Sequence, residues 1–299
     1  MDDRIGAVFD CVPLLRGREQ VVTPLRGGIT NQNYRIDAGD ESYVLRVAGE
    51  NTGFLGIDRA VEYACSLVAA ELDVGAEVIA FLPEHHALLT RFVPGRLLAS
   101  NDVRDLTIMR RIVRALRRYH AASPGAGSFS PFAVVRDYYA LAWNRQVAFP
   151  PSIGEAMDRM NRIEAALEAS EPLCPCHNDL LAANLIDDGS AVRIIDWEYA
   201  GMGDRWFDLG NLAANNDFDD VQERTLLELY VGEARTEDLY RLRLMRLASD
   251  LRESLWGFLQ AGVSTLDYEF LEYGRTHLER FLQSSDTIPT ETPSLSGPM

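Results

Sequence analysis

The chain has 299 residues, enough for one large domain or two lobes with an ample core. Its hydrophobic fraction of 47% and charged fraction of 25% are those of a soluble globular protein. A net charge of −16 argues against nucleic acid or an anionic membrane as partner and is compatible with a cationic substrate. The opening residues Met1-Asp2-Asp3-Arg4 are acidic and no apolar stretch follows them, so no secretory signal is expected. No apolar run approaches the length of a membrane span, and a cytoplasmic location is expected. Four cysteines do not make a disulfide framework in a chain this long. All 29 basic residues are arginines, which excludes a Walker A loop and lysine Schiff-base chemistry.

In chain order, residues 5–15 read as a short helix. Residues 21–25, 33–36 and 43–47 read as three strands of an antiparallel sheet. Between the first two strands lies Arg26-Gly27-Gly28-Ile29-Thr30-Asn31-Gln32-Asn33. Its glycines and small polar residues would let backbone N–H groups near Thr30 and Asn31 approach phosphate, although a Gly-Gly turn alone is a weak signal. A helix is expected from Asp58, a suitable N-cap, to Leu72. Strands near 77–81 and 87–92 end at Val93-Pro94-Gly95, which reads as a linker between lobes. Backbone groups of Arg91 and Val93 in such a linker suit the edge of an adenine. Helices are expected over residues 102–122, 138–149, 152–168, 205–215, 219–231, 237–261 and 266–282. The stretch 284–299, rich in Ser, Thr and Pro, is expected to be a disordered tail.

The chemistry concentrates between residues 177 and 199. His177-Asn178-Asp179 is followed by Asn184, and Asp196-Trp197-Glu198-Tyr199 comes after a hydrophobic strand. Residues 185–187 and 192–195 read as a hairpin around Asp188-Gly189. That hairpin would carry Asn184 at its entrance and deliver Asp196 beside it at its exit. One Asn and one Asp supply the hard oxygen ligands that Mg²⁺ prefers, while Asp179 is free to accept a proton from a substrate hydroxyl. Cys174-Pro175-Cys176 lacks the spacing of a haem or zinc site and reads as the strand entering this loop. The order is that of the kinase signature set, a catalytic loop and then a metal-binding Asp. In that arrangement a cation on the third strand contacts phosphates and pairs with a helix acid, roles that Arg46 and Glu62 fit.

With these pieces in place, the chain resembles the choline/ethanolamine kinase family, within the wider aminoglycoside phosphotransferase-like group. The resemblance runs from about Leu25 to Phe281. It is carried by Gly27-Gly28-Ile29-Thr30-Asn31, Val44-Leu45-Arg46, Phe92-Val93-Pro94-Gly95, His177-Asn178-Asp179-Leu180, Asp196-Trp197-Glu198-Tyr199, Phe207-Asp208-Leu209-Gly210-Asn211 and the segment from Trp256 to Gln260. It implies an α+β fold of two lobes like that of protein kinases. Residues 1–93 would form the nucleotide-binding lobe and 94–283 the catalytic and substrate-binding lobe. It also implies ATP and Mg²⁺ as cofactors, Asp179 as catalytic base, Asn184 and Asp196 as metal ligands assisted by Glu198, and Asp208 as a support of the catalytic loop. The family's aromatic cage for a quaternary ammonium would fall on Tyr199, Trp256, Tyr268 and Tyr273. Many animal members carry a second Trp three residues before the position of Trp256. Here that position is Glu253, which suits either a counter-charge to an ammonium or a narrower, more polar site.

The resulting expectation is an ATP-dependent phosphotransferase acting on a small cationic alcohol, with choline ranked first and ethanolamine second. Thiamine or an aminoglycoside is the alternative within the class. A catalytically silent module binding nucleotide or cation is the alternative of another class, although every expected catalytic position is filled.

Overall fold

The computed structural model describes residues 3–25, 31–49, 52–167 and 172–288. Helix α1 (Asp3–Cys11) precedes β1 (Val21–Leu25), β2 (Asn31–Ala38) and β3 (Glu41–Ala48); α2 (Arg59–Glu71) then leads to β4 (Val78–Leu82) and β5 (Ala87–Arg91). The five strands form one antiparallel sheet in the order β1-β2-β3-β5-β4. Side chains alternate across it. Tyr43, Leu45, Val47 and Leu89 are buried on the face covered by Ile5, Val8 and Val12 at the chain's start. Arg46, one residue out of phase, therefore points from the opposite face, where it meets Glu62 of α2. Asp58 caps α2 by accepting from the amides of Ala60 (2.8 Å) and Val61 (3.2 Å).

The C-terminal part contains β6 (Arg96–Leu97), α3 (Ser100–Val103), α4 (Leu106–His120), α5 (Pro131–Asn144), α6 (Ile153–Ala166), β7 (Cys174–Cys176), β8 (Leu185–Asp187), β9 (Val192–Ile194), β10 (Gly201–Gly203), α7 (Arg205–Asn215), α8 (Asp220–Val231), α9 (Thr236–Val263) and α10 (Phe270–Ser285). Strands β6, β8 and β9 form a small antiparallel sheet, and β7 pairs with β10. Asp188 closes the expected hairpin by accepting from the amides of Ser190 and Ala191, and Gly189 takes the left-handed φ of +92°. This is an α+β fold of two lobes. The cores do not divide at residue 93, however: Cys65, Ala69 and Val74, in and just after α2, join the C-terminal hydrophobic cluster.

Three helices differ most from expectation. The helix expected over 102–122 is two helices, because Asp105 turns its carboxylate onto the amides of Thr107 and Ile108 and starts a new one. The helix expected at 138–149 begins at Pro131, behind the cap Ser130, and ends at Asn144. The last helix starts at Phe270, not at residue 266, and runs to Ser285, past the expected start of the tail. Residues 289–299 lie outside the described residues. All four cysteines are unbridged, and among the described residues no helix is long and apolar enough to cross a membrane.

Helices α9 and α10 touch backbone to backbone at two glycines. A Cβ on Gly257 would lie 2.8 Å from the amide nitrogen of Gly274, and Ser254 Oγ donates to the Gly274 carbonyl at 2.8 Å. This crossing holds Glu253 and Trp256 against Tyr273. Gly257→Val should therefore lower stability by about 1–3 kcal/mol through overpacking. Calorimetry should read that as a drop of a few degrees in melting temperature. An unchanged melting temperature would mean that the two helices separate freely.

Candidate active site

The loop 177–184 hangs from buried polar groups of α7. Asp208 Oδ2 accepts from His177 N at 2.9 Å and Asp208 Oδ1 from Asn178 N at 2.6 Å. His120 Nε2 lies 2.9 Å from Asp208 Oδ2, and Asn211 Oδ1 accepts from Leu180 N at 2.5 Å. Burial alone would raise the pKa of Asp208, but hydrogen bonding and charge from His120, with the His177 side chain and amide, outweigh it and hold the carboxyl below its ordinary range. His177 Nε2 donates to the Ile195 carbonyl (3.0 Å) while its Nδ1 accepts from Asp179 N (3.2 Å), the pattern of a neutral imidazole. Burial lowers its pKa and favours that form. Asn178 and Asp196 turn the chain in the left-handed region, at φ +66° and +68°. Asn and Asp tolerate that region best among residues with a Cβ. His120, Cys176 and Asp208 also form a buried cluster with metal-ligand chemistry, but Asp208 and His120 already spend their polar atoms on the loop and on Tyr230.

The hairpin brings the expected metal ligands to one place. Ile195 N donates to the Asn184 carbonyl at 2.9 Å, which sets Asp196 beside Asn184. Asn184 Nδ2 donates to the Asp179 carbonyl at 2.9 Å and reaches its carboxylate at 3.4 Å. Above the hairpin runs a chain of alternating charge. Arg46 pairs with Asp196 and with Glu62. Arg59 Nη1 pairs with Glu62 (2.7 Å) and Glu198 (3.1 Å), and Arg59 Nη2 donates to Asn31 Oδ1 at 2.9 Å. Asn31 Nδ2 in turn donates to Glu198 at 2.9 Å. Two guanidinium groups thus bridge the sheet, α2 and the Asp196–Glu198 segment.

Beside Asp179 stands Arg252 of α9, only 1% exposed. Its Nη1 donates to the Asn178 carbonyl (3.2 Å), Asp179 Oδ1 (3.3 Å) and Glu253 Oε1 (2.9 Å), and its Cζ lies 4.5 Å from the centre of the Tyr199 ring. Glu253 Oε2 accepts from the Tyr273 hydroxyl at 2.7 Å. Trp256 meets Phe270 and Tyr273 edge-on, with ring centres 5.8 and 5.6 Å away. Tyr268 is half exposed on the rim, 6.3 Å from the Tyr273 ring. Burial pushes the Asp179 carboxyl up to about 7 against the opposing pull of Arg252, with Glu253, Asp196 and Glu198 adding to the rise. Breaking a buried ion pair by displacing one partner costs about 3–5 kcal/mol, more than the roughly 0.5–2 kcal/mol of one cation–π contact, so Arg252 is fixed in place.

The expected residues gather in three groups: Asp179, Asn184, Asp196 and Glu198 at the hairpin; Arg46, Glu62 and Asn31 above it; and Tyr199, Glu253, Trp256 and Tyr273 around Arg252 and Asp179. Thr30 lies outside the described residues, with the two glycines of its loop. Arg91 and Val93 border a cavity of about 250 Å³ at the linker, but the Arg91 side chain turns away from Arg46 toward Glu41 and Glu77. Arg59 and Arg252 stand outside the sequence expectations. Arg59 had a faint signal, an opposite charge three residues before Glu62 on the same helix. For Arg252 the signal was a charged pair, Arg252-Glu253, inside a window of apolar residues.

In sequence and fold the chain is similar to known proteins. The model of the "Phosphotransferase enzyme family" matches residues 21–244. A choline/ethanolamine kinase of Rattus norvegicus is 24% identical over 334 residues, covering 91% of this chain and 82% of that protein. A probable ethanolamine kinase A of Dictyostelium discoideum is 26% identical over 310 residues, covering 91% and 87%. The crystal structure of a choline/ethanolamine kinase family protein from Mesorhizobium loti superposes with a TM-score of 0.82 at 29% identity, over 98% of this chain and 96% of that one.

The Asp208 node makes a pH-dependent prediction. Replacing it by Asn turns an amide N–H₂ toward donors that now meet a carboxylate, and should cost about 3 kcal/mol. Because the folded-state pKa is depressed, the carboxylate's contribution is fully present above the unfolded value near about 3.9 and is lost as pH falls through the lower folded value. Urea unfolding should therefore find the full gap between wild type and Asp208→Asn at neutral pH and a shrinking gap below about pH 4. A gap that stays constant would count against the ionised carboxylate as its source.

Proposed function

We propose that this chain, which belongs to the phosphotransferase enzyme family, transfers the γ-phosphoryl group of ATP to the hydroxyl of a small amino alcohol of the choline or ethanolamine type. The observation that carries the reading is the convergence of Asp179, Asn184 and Asp196 at the hairpin with Arg46 directly above them. Relatives named as choline/ethanolamine and ethanolamine kinases support the choice of alcohol. A cytoplasmic location fits an enzyme that draws on ATP.

Asn184, Asp196 and Glu198 are hard oxygen donors and fit Mg²⁺. The amide nitrogen of Asn184 is spent on the Asp179 carbonyl, which leaves its oxygen as the coordinating end. When bound, Mg²⁺ would supply neutralisation of the phosphate charge. Arg46 presents a planar fork to phosphate oxygens, and Glu62 keeps it anchored from behind. Backbone groups of Arg91 and Val93 would meet the adenine. Asp179 orients the substrate hydroxyl and takes its proton as the phosphoryl group moves across. Its environment suits that task, because a buried carboxyl whose pKa is raised is a better base than a solvated one. Positioning and charge stabilisation supply most of the acceleration in this chemistry.

Asp179→Ala should lower kcat by about 10²–10⁴-fold, the usual worth of a general base, and leave ATP binding nearly intact. A fully active Asp179→Ala enzyme would sink the assignment. Asp196→Ala should abolish the dependence of turnover on Mg²⁺ by abolishing turnover itself; an unchanged Mg²⁺ titration would rule Asp196 out as a ligand. ATP consumption measured over choline, ethanolamine, thiamine and several aminoglycosides should respond to at least one of the two amino alcohols. A response to aminoglycosides alone would overturn the substrate class.

A further inference from the structure

We infer that Arg252 selects the substrate's head group, so that the pocket takes a small alcohol ending in a hydrogen-bonding group, a primary ammonium or a hydroxyl, and rejects a quaternary ammonium. This rests on the amino-alcohol phosphotransferase reading for the identity of the pocket and reverses the order, choline before ethanolamine, expected from the sequence.

A quaternary ammonium has no N–H to donate, so it is held by open aromatic faces and a nearby uncompensated acid. Next to Asp179 the ring and the acids already have partners. The aromatic ring next to Asp179 is Tyr199, and the Arg252 guanidinium already lies 4.5 Å from its centre. A second cation there would meet both the volume and the charge of the first. Arg252 has nowhere to swing: it is 1% exposed and its Nη1 serves the Asn178 carbonyl, Asp179 and Glu253. Glu253 is compensated as well, one oxygen by Arg252 and the other by the Tyr273 hydroxyl. Of the other expected cage partners, Trp256 and Tyr273 pack edge-on against each other, and Tyr268 stands out on the rim, 6.3 Å from the Tyr273 ring.

What this leaves beside the base is polar. Each Glu253 oxygen keeps a second lone pair, and the Tyr273 hydroxyl keeps its acceptor capacity. A primary ammonium with three donors, or a hydroxyl with one donor and two lone pairs, finds partners among these atoms. A trimethylammonium of the same charge finds none, and would strip water from the carboxylates without replacing it.

The test is equilibrium binding of ethanolamine, N,N-dimethylethanolamine and choline, measured by calorimetry with Mg²⁺ and a non-hydrolysable ATP analogue, alongside turnover with ATP. Wild type should bind choline at least tenfold more weakly than ethanolamine. Choline binding as tight as ethanolamine, or tighter, would overturn the inference. The double variant Arg252→Met/Glu253→Gln removes both of these charges together; Asp179 loses its arginine in that variant, so the readout is the ratio of two affinities and not turnover. Its ratio of choline to ethanolamine affinity should rise at least tenfold over wild type; an unchanged ratio in the folded variant would show that Arg252 is not the selector. Because binding is read separately, a protein that bound these ligands without transferring phosphate would sink the phosphotransferase reading and still answer the head-group question.

Discussion

Asp208 is fully buried, and the loop that carries Asp179 depends on it. Its two oxygens receive the His177 and Asn178 amides, and His120 closes the remaining side. An ionised carboxylate inside a core is costly unless several donors meet it, so the loop and the carboxylate stabilise each other. The consequence is geometric. With His177 and Asn178 fixed, Asn178 turns the chain at a positive φ and Asp179 emerges toward α9. Asn184 then follows within reach of the Asp179 carbonyl.

A second constraint is the use of arginine for every positive charge. Lysine is a point charge, whereas the guanidinium fork can serve two carboxylates at once. Arg46 does this between Glu62 and Asp196, and Arg59 between Glu62 and Glu198. The pairs tie α2 to the hairpin across the face of the sheet. They also explain why α2, which lies between β3 and β4 in sequence, shares its apolar side with the C-terminal core. Phosphate and metal would have to compete with these internal pairs, so the site is held in shape before it is filled.

Helix α9 supplies the third layer. It is buried along most of its length, and α10 approaches it so closely at Gly257 and Gly274 that no side chain fits between. That contact fixes the orientation of Glu253, Trp256 and Tyr273 around Arg252. The proposed alcohol pocket is therefore built on rigid helices, while Asp179 and Asn184 sit on a loop braced from beneath.

Much of this was legible in the sequence. The three-strand start of the sheet, the capping role of Asp58, the hairpin at Asp188-Gly189 and the spacing of Asp179, Asn184 and Asp196 are local patterns, set by hydrophobic period, turn chemistry and short-range geometry. The pairing of Arg46 with Glu62 followed from the kinase-like arrangement. Other features needed the folded chain. The break at Asp105 and the start at Pro131 turn on caps whose competition with neighbouring helical residues is decided by packing. Arg59 and Arg252 act through partners 139 and 73 residues away in the chain, at Glu198 and Asp179. A one-dimensional pattern does not encode which buried charge meets which. So the sequence by itself determined the phosphotransferase signature, because the residues proposed to react lie within one short loop and hairpin. Only the tertiary structure decided what surrounds Asp179, because α9 brings its own cation onto the aromatic ring that follows the hairpin.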